Sequence, residues 1–183
     1  MKTEYHQELY DTLAHARKIR QVYKSWERSK TGIKYPEKGT AYKNYMLIVC
    51  YGKIEHIFKS IVADYFTKPG MPQRCEQFGN RIRERLPGSL VKEKLYHFIG
   101  EECSKAWLAE IKNRNNDPNY KCKYKPRYSF SDTYVAVTSL TNARHNFAHG
   151  DSPYTGSIDD LLQYYIKAIV WLYEIDDIID SIG

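Results

Sequence analysis

Arg144 and His149 are the residues whose types and spacing point most directly to chemistry. They lie in the segment Asn142-Ala143-Arg144-His145-Asn146-Phe147-Ala148-His149-Gly150. A histidine, with an ordinary pKa of about 6.5, takes and returns a proton near neutral pH. An arginine keeps its charge and presents a planar fork of N–H donors that binds two phosphoryl oxygens at once. Together they suit attack of a hydroxyl on a phosphate ester. His149 would take the hydroxyl proton, and Arg144 would hold the charge that gathers on the phosphoryl oxygens. His145 and Asn146 add polar groups between them. On a continuous helix, positions five apart diverge by about 140°. The pair therefore converges only if the helix unwinds near Gly150.

The elements that must position this segment read as helices throughout. Tyr5, Leu9, Leu13, Ala16, Tyr23 and Trp26 fall on one stripe, predicting a long amphipathic helix over 3–29. Thr31 to Thr40, with Gly32, Pro36 and Gly39, reads as a loop. A second helix is expected from Ala41 to Phe66, burying Leu47, Ile54, Ile57, Ile61 and Tyr65, and stopped by Lys68-Pro69-Gly70-Met71-Pro72. A basic helix over 73–86 follows, then one from Ser89 to about Asn113 with Leu95, Phe98, Ile99, Cys103, Ala106 and Trp107 facing inward. Asn115 to Ser129 is a long polar loop. The motif helix is predicted to start with Ser131 or Asp132 as its cap and to end at Gly150, after carrying Tyr134, Val137, Leu140 and Phe147. The last helix has Ser157 as cap, Asp160 three residues on, and a buried stripe of Leu161, Tyr165, Ala168, Ile169, Leu172, Ile175 and Ile179. No internal repeat and no convincing strand interrupts the pattern. The expected fold is an all-α, single-domain bundle of five to six helices over residues 1–183, with sites built by side chains from facing helices.

Three further groups bear on function. Glu55 falls between Ile48 and Val62 inside an apolar stripe, where a carboxylate needs a partner: Arg144, His149 or another base. In the polar loop, Tyr120, Lys121, Lys123, Tyr124, Lys125, Arg127 and Tyr128 interleave cations with aromatic rings, a combination suited to phosphates and unstacked bases. It serves equally as a solvated loop or a protein contact. Asp176-Asp177-Ile178-Ile179-Asp180 matches an acidic magnesium-binding string, but with no second acidic motif it reads as a solvated helix face. His145 and His149 also form an HxxxH pair. Without a third ligand at a known spacing, no metal and no other cofactor is expected.

Charge is unevenly distributed. From Gly150 onward seven acids face one base, Lys167, which leaves +12 on residues 1–149 of a chain whose total is +6. Such a field attracts polyanions, phosphate backbones foremost, and also serves plain solubility. The 17 tyrosines add stacking faces as well as core. Cys50, Cys75, Cys103 and Cys122 form no CxxC pair, and no apolar run is long enough to span a bilayer, so a cytoplasmic location without a membrane partner is expected.

The motif segment resembles the HEPN family, whose ribonucleases share an Arg, usually a polar residue after it, and a His four to six positions further on. Arg144, His145 and His149 fit, and Ala148-His149-Gly150 is similar to the ending seen in the RiboL-PSP type. The resemblance is specific over about 131–182 and architectural before that. It implies a metal-independent endoribonuclease that leaves 2′,3′-cyclic phosphate ends on tRNA-like or single-stranded RNA, with no DNA partner. It also implies a homodimer that brings two Arg and His pairs into one cleft, and a toxin or abortive-infection, antiviral defence role restrained by an antitoxin or an activating partner. One HEPN toxin class carries a modifiable tyrosine two residues after the histidine. Asp151 stands there in this chain, and the nearest tyrosine is Tyr154, so that mode of control is not carried over. The alternative is a non-catalytic HEPN-like module that binds RNA, nucleotide or protein.

Overall fold

The structure is a computed structural model that describes residues 1–69, 101–150 and 152–182. Its helices are α1 (Thr3–Glu27), α2 (Lys30–Lys34), α3 (Gly39–Phe66), α4 (Glu101–Asn116), α5 (Phe130–Ala148) and α6 (Ile158–Ile182), with a 3₁₀ turn at Pro36–Lys38. The fold is the predicted all-α bundle. Among the described residues the sole β feature is an isolated antiparallel bridge between Lys121 and Ser129.

The expected stripes account for the core. Leu9, Met46, Leu47, Ile57, Leu161 and Leu172 are fully enclosed, each burial contributing about 1.5–3 kcal/mol. Side-chain ties at the helix ends set the directions. Lys43 Nζ donates to the Gly156 carbonyl (3.1 Å) and Lys68 pairs with Asp180 (3.0 Å), so α3 and α6 run alongside in the same sense. Helix α1 runs against both, with Tyr5 bonded to Asp64, Arg20 paired with Asp159, and the N-terminal amine on Asp176. Helix α5 runs against α6, its closest neighbour. In cross-section α3 and α6 form the inner pair, and α1 and α5 take opposite corners. The α1/α6 groove and the α3/α5 groove therefore lie on opposite edges of the bundle.

Several expectations need correction. Residues 31–40 are not an open loop. Ser29 accepts a hydrogen bond from the Gly32 N–H (3.1 Å) and starts α2, and α3 begins at Gly39, where a Cβ would lie 2.5 Å from the Trp26 ring. Helix α5 starts earlier than expected, because Ser129 rather than Ser131 or Asp132 caps it. Ser129 Oγ accepts from the Asp132 N–H (3.1 Å), and the Asp132 carboxylate accepts from the Ser129 N–H (3.2 Å). In α4, Trp107 is buried as expected but Ala106 is exposed. Ile48 is exposed too, so Glu55 lies at the border of the α3 stripe and not within it. The helix over 73–86, the start of the helix from Ser89, and the burial of Leu95, Phe98, Ile99 and Cys103 fall outside the described residues.

Candidate active site and candidate RNA-binding surface

Helix α5 carries the motif through its last turn. The His149 N–H still donates to the His145 carbonyl (3.1 Å) and the Gly150 N–H to that of Phe147 (3.2 Å). Gly150 then takes a φ of +74°, a left-handed conformation that glycine adopts without a Cβ penalty. Helix α3 holds the turn that follows, since Asn44 Oδ1 accepts from the Tyr154 N–H (3.0 Å). The segment Arg144–His149 is thus the last turn and cap of α5, at one end of the bundle. Asp151 lies outside the described residues.

Arg144 faces α3. Its guanidinium lies 5.6 Å from the centre of the Tyr51 ring, a cation–π arrangement. Tyr51 is buried, and burial raises its phenol to about 12, with Glu55 adding to the rise while Arg144 and a hydrogen bond to Thr141 oppose it. Tyr51 therefore sits within the fields of both Glu55 and Arg144. Glu55 itself pairs with Lys59, one turn on. No carboxylate lies within ion-pair distance of Arg144 among the described residues.

His149 lies elsewhere. It is exposed, as are His145 and Asn146, and its ring rests on that of His145 at 4.3 Å between centroids. No hydrogen bond or ring contact joins Arg144 to His149 among the described residues. The helix does not unwind to bring them together, and within one chain they serve different directions: guanidinium against α3, imidazole toward solvent. No three His, Cys, Asp or Glu side chains among the described residues are grouped to hold a metal ion.

The basic loop is more ordered than its composition suggests. Glu174 on α6 is completely buried and accepts from Arg114 Nη1 (3.0 Å), the Tyr120 hydroxyl (2.9 Å) and the Lys123 N–H (2.7 Å). The Cys122 N–H bonds the Tyr128 carbonyl and the Tyr128 N–H that of Lys125, both at 2.9 Å. Lys123 spends its charge on Asp177 (2.8 Å). Asp176, Asp177 and Asp180 are correspondingly not a purely solvated face: they tie down the N-terminus, the loop and the end of α3. Lys121 is exposed, and Tyr128 lies beneath Arg127 at 4.7 Å and Lys167 at 5.6 Å. Tyr124, Lys125 and Arg127 reach across α6 to the α1/α6 groove. The loop and the Arg144–His149 segment are thus on different faces. Sequence reasoning missed Tyr51, Thr141 and Glu174. It also missed His6, Tyr10 and Arg17, which line that groove beside the loop and whose i, i+4, i+11 spacing on one face of α1 was readable.

With this architecture in place, the chain matches the RiboL-PSP-HEPN family over residues 12–181 and belongs to it. No curated protein and no solved structure matches it.

Proposed function

We propose that the protein is a metal-independent endoribonuclease in which His149 removes the 2′-hydroxyl proton and Arg144 binds the phosphoryl oxygens, leaving 2′,3′-cyclic phosphate and 5′-hydroxyl ends. The observation that carries this reading is the state of Arg144. It is partly buried, steadied by the face of Tyr51 and, among the described residues, without a carboxylate partner, in a chain of the RiboL-PSP-HEPN family. A guanidinium in a purely structural role ordinarily spends its donors on an acid or on carbonyls. Because His149 stands apart from it, the reading includes a homodimer in which the arginine of one copy and the histidine of the other face a shared cleft. Such an enzyme damages its host's RNA unless restrained, which fits a cytoplasmic toxin or antiviral, abortive-infection effector with an antitoxin or an activating partner.

The second reading, a binding module without catalysis, draws on the lack of any contact between Arg144 and His149. Incubating the wild-type chain, His149→Ala and Arg144→Ala with total tRNA and a long RNA in EDTA separates the two. The nuclease reading expects metal-independent cleavage by the wild type and a loss of about a hundredfold or more in either variant. Equal behaviour of all three proteins contradicts it.

A further inference from the structure

The α1/α6 groove, on the edge of the bundle away from Arg144, holds a cavity of about 460 Å³. Its wall is a run of rings. Tyr10 meets His6 edge-on at 5.1 Å, His6 meets Tyr173 at 5.2 Å, and Tyr173 lies beside Tyr124 at 4.9 Å, with a hydrogen bond between His6 Nε2 and the Tyr173 hydroxyl (3.3 Å). Tyr10 and Tyr124, at the two ends of the run, are about half exposed, so each keeps a ring surface open. Leu13, Ile166 and Ile169 supply an apolar floor.

Among the described residues the charge on this cavity is of one sign: Arg17 enters from α1 and Lys125 and Arg127 from the loop, and no Asp or Glu lines it. Among the described residues none of these three cations has a carboxylate partner. The contrast with their neighbours is sharp: Lys123 pairs with Asp177, Arg20 with Asp159 and Arg114 with Glu174. The loop that contributes Lys125 and Arg127 is anchored through Tyr120 and the Lys123 N–H to the buried Glu174, which sets where its backbone enters the groove. Aromatic faces and an apolar floor take a planar, weakly polar ring. Guanidinium and ammonium groups at its edge take a phosphate. The volume falls in the range of pockets that enclose small organic ligands.

We propose that this cavity binds one nucleotide unit, its base against the Tyr10–His6–Tyr173–Tyr124 wall and its phosphate on Arg17, Lys125 and Arg127. The unit is either part of an RNA strand or a free nucleotide. The inference deepens, and in its RNA form rests on, the reading of the chain as one that acts on RNA. It adds a contact remote from the Arg144–His149 segment, which would anchor a substrate strand or sense a small nucleotide.

The test uses the wild-type protein with a 2′-O-methyl oligonucleotide, which cannot be cut through its 2′-hydroxyl, and separately with AMP, UMP and inorganic phosphate. Binding is followed by anisotropy and calorimetry. Arg17→Glu and Lys125→Glu, both at exposed positions that form no ion pair among the described residues, should each weaken nucleotide binding roughly tenfold or more, and Tyr10→Ala should do so with the charges intact. Thermal melts check that each variant is folded. Competition identifies the source: an oligonucleotide that displaces UMP points to a strand, and a mononucleotide that binds undisturbed points to a free effector. Unchanged binding in all three variants, no binding of any nucleotide, or phosphate competing as well as UMP would overturn the proposal. If wild-type protein still cleaves ordinary RNA in that event, the nuclease reading survives. If the cavity binds nucleotide while no cleavage occurs, the nuclease reading fails alone.

Discussion

Replacing Glu174 with Ala should be among the most damaging single changes in α6, although the residue belongs to neither candidate site. The carboxylate is completely enclosed and accepts three hydrogen bonds, from Arg114, Tyr120 and the Lys123 N–H. Arg114 keeps Glu110 and Asp177 after the change, so its charge is not orphaned. The Tyr120 hydroxyl and the Lys123 N–H lose their acceptor, at about 1–3 kcal/mol for each donor left unsatisfied away from water. The peptide at Lys123 is near solvent and recovers part of that, which puts the loss near about 3 kcal/mol, at the lower end for breaking a buried ion pair. At roughly 2–4 °C per kcal/mol for a chain of this size, the melting temperature should fall by roughly 6–12 °C. Calorimetric and urea melts measure it, and limited trypsin digestion reports whether the loop has loosened through faster cleavage after Lys121, Lys123 and Arg127. Glu174→Gln should fall between wild type and Ala, because its amide offers one acceptor in place of two. A shift under about 2 °C with unchanged digestion would refute the role of Glu174 as the loop's anchor.

Other outcomes follow from the same contacts. Tyr51→Phe keeps the ring under Arg144 and should cleave RNA nearly as the wild type does, whereas Tyr51→Leu removes the cation–π contact and should lower kcat by about two- to fivefold, read in a single-turnover assay. Arg144→Lys should retain little activity, since an ammonium lacks the two-pronged geometry of the guanidinium. If the cleft is shared between copies, mixing Arg144→Ala with His149→Ala protein should restore part of the activity that each lacks alone. Acid stability is set in part by Asp132, Asp159 and Asp177, held below the ordinary carboxylate value of 3.8 chiefly by hydrogen bonds to Ser129, Arg20 and Lys123 respectively. A depressed carboxylate contributes stability that is present above its unfolded pKa and is lost as pH falls through the folded one. The melting temperature should therefore drop below about pH 4, and more gently in an Asp132→Asn, Asp159→Asn double variant.

How far the sequence reaches depends on whether a feature is local. The stripes of α1, α3 and α6 repeat with the helical period, so their buried residues were readable, as were Ser157 with Asp160 and the glycine stop at Gly150. The cap of α5 was readable in principle, since Ser129 and Asp132 form the Ser-x-x-Asp pattern, but Ser131 and Asp132 competed for the same role. Ser29 was overlooked because the glycines and proline after it mark a loop more strongly than a single cap marks a helix. Partnerships between distant segments carry no such signal. Asp176, Asp177 and Asp180 look like a solvated acidic face until the N-terminus, Lys123 and Lys68 arrive beside them. Tyr51 looks like one more core aromatic until Arg144 lies over it, and Glu55 found its cation one turn away in Lys59. Likewise His6, Tyr10 and Arg17 lie on one readable face of α1, but only the fold brings the 124–127 loop across α6 to meet them.

Whether Arg144 and His149 cleave RNA through its own 2′-hydroxyl is decided by the chemistry of the product ends. Wild-type protein in EDTA is given an RNA carrying one mapped cut site and the same RNA with a 2′-O-methyl group at that single position, and the fragments are weighed by mass spectrometry. Attack by the 2′-hydroxyl leaves 2′,3′-cyclic phosphate and 5′-hydroxyl ends on the first RNA and no cut at the methylated position of the second. Ends bearing 5′-phosphate and 3′-hydroxyl, or cleavage that proceeds at the methylated position, would contradict it.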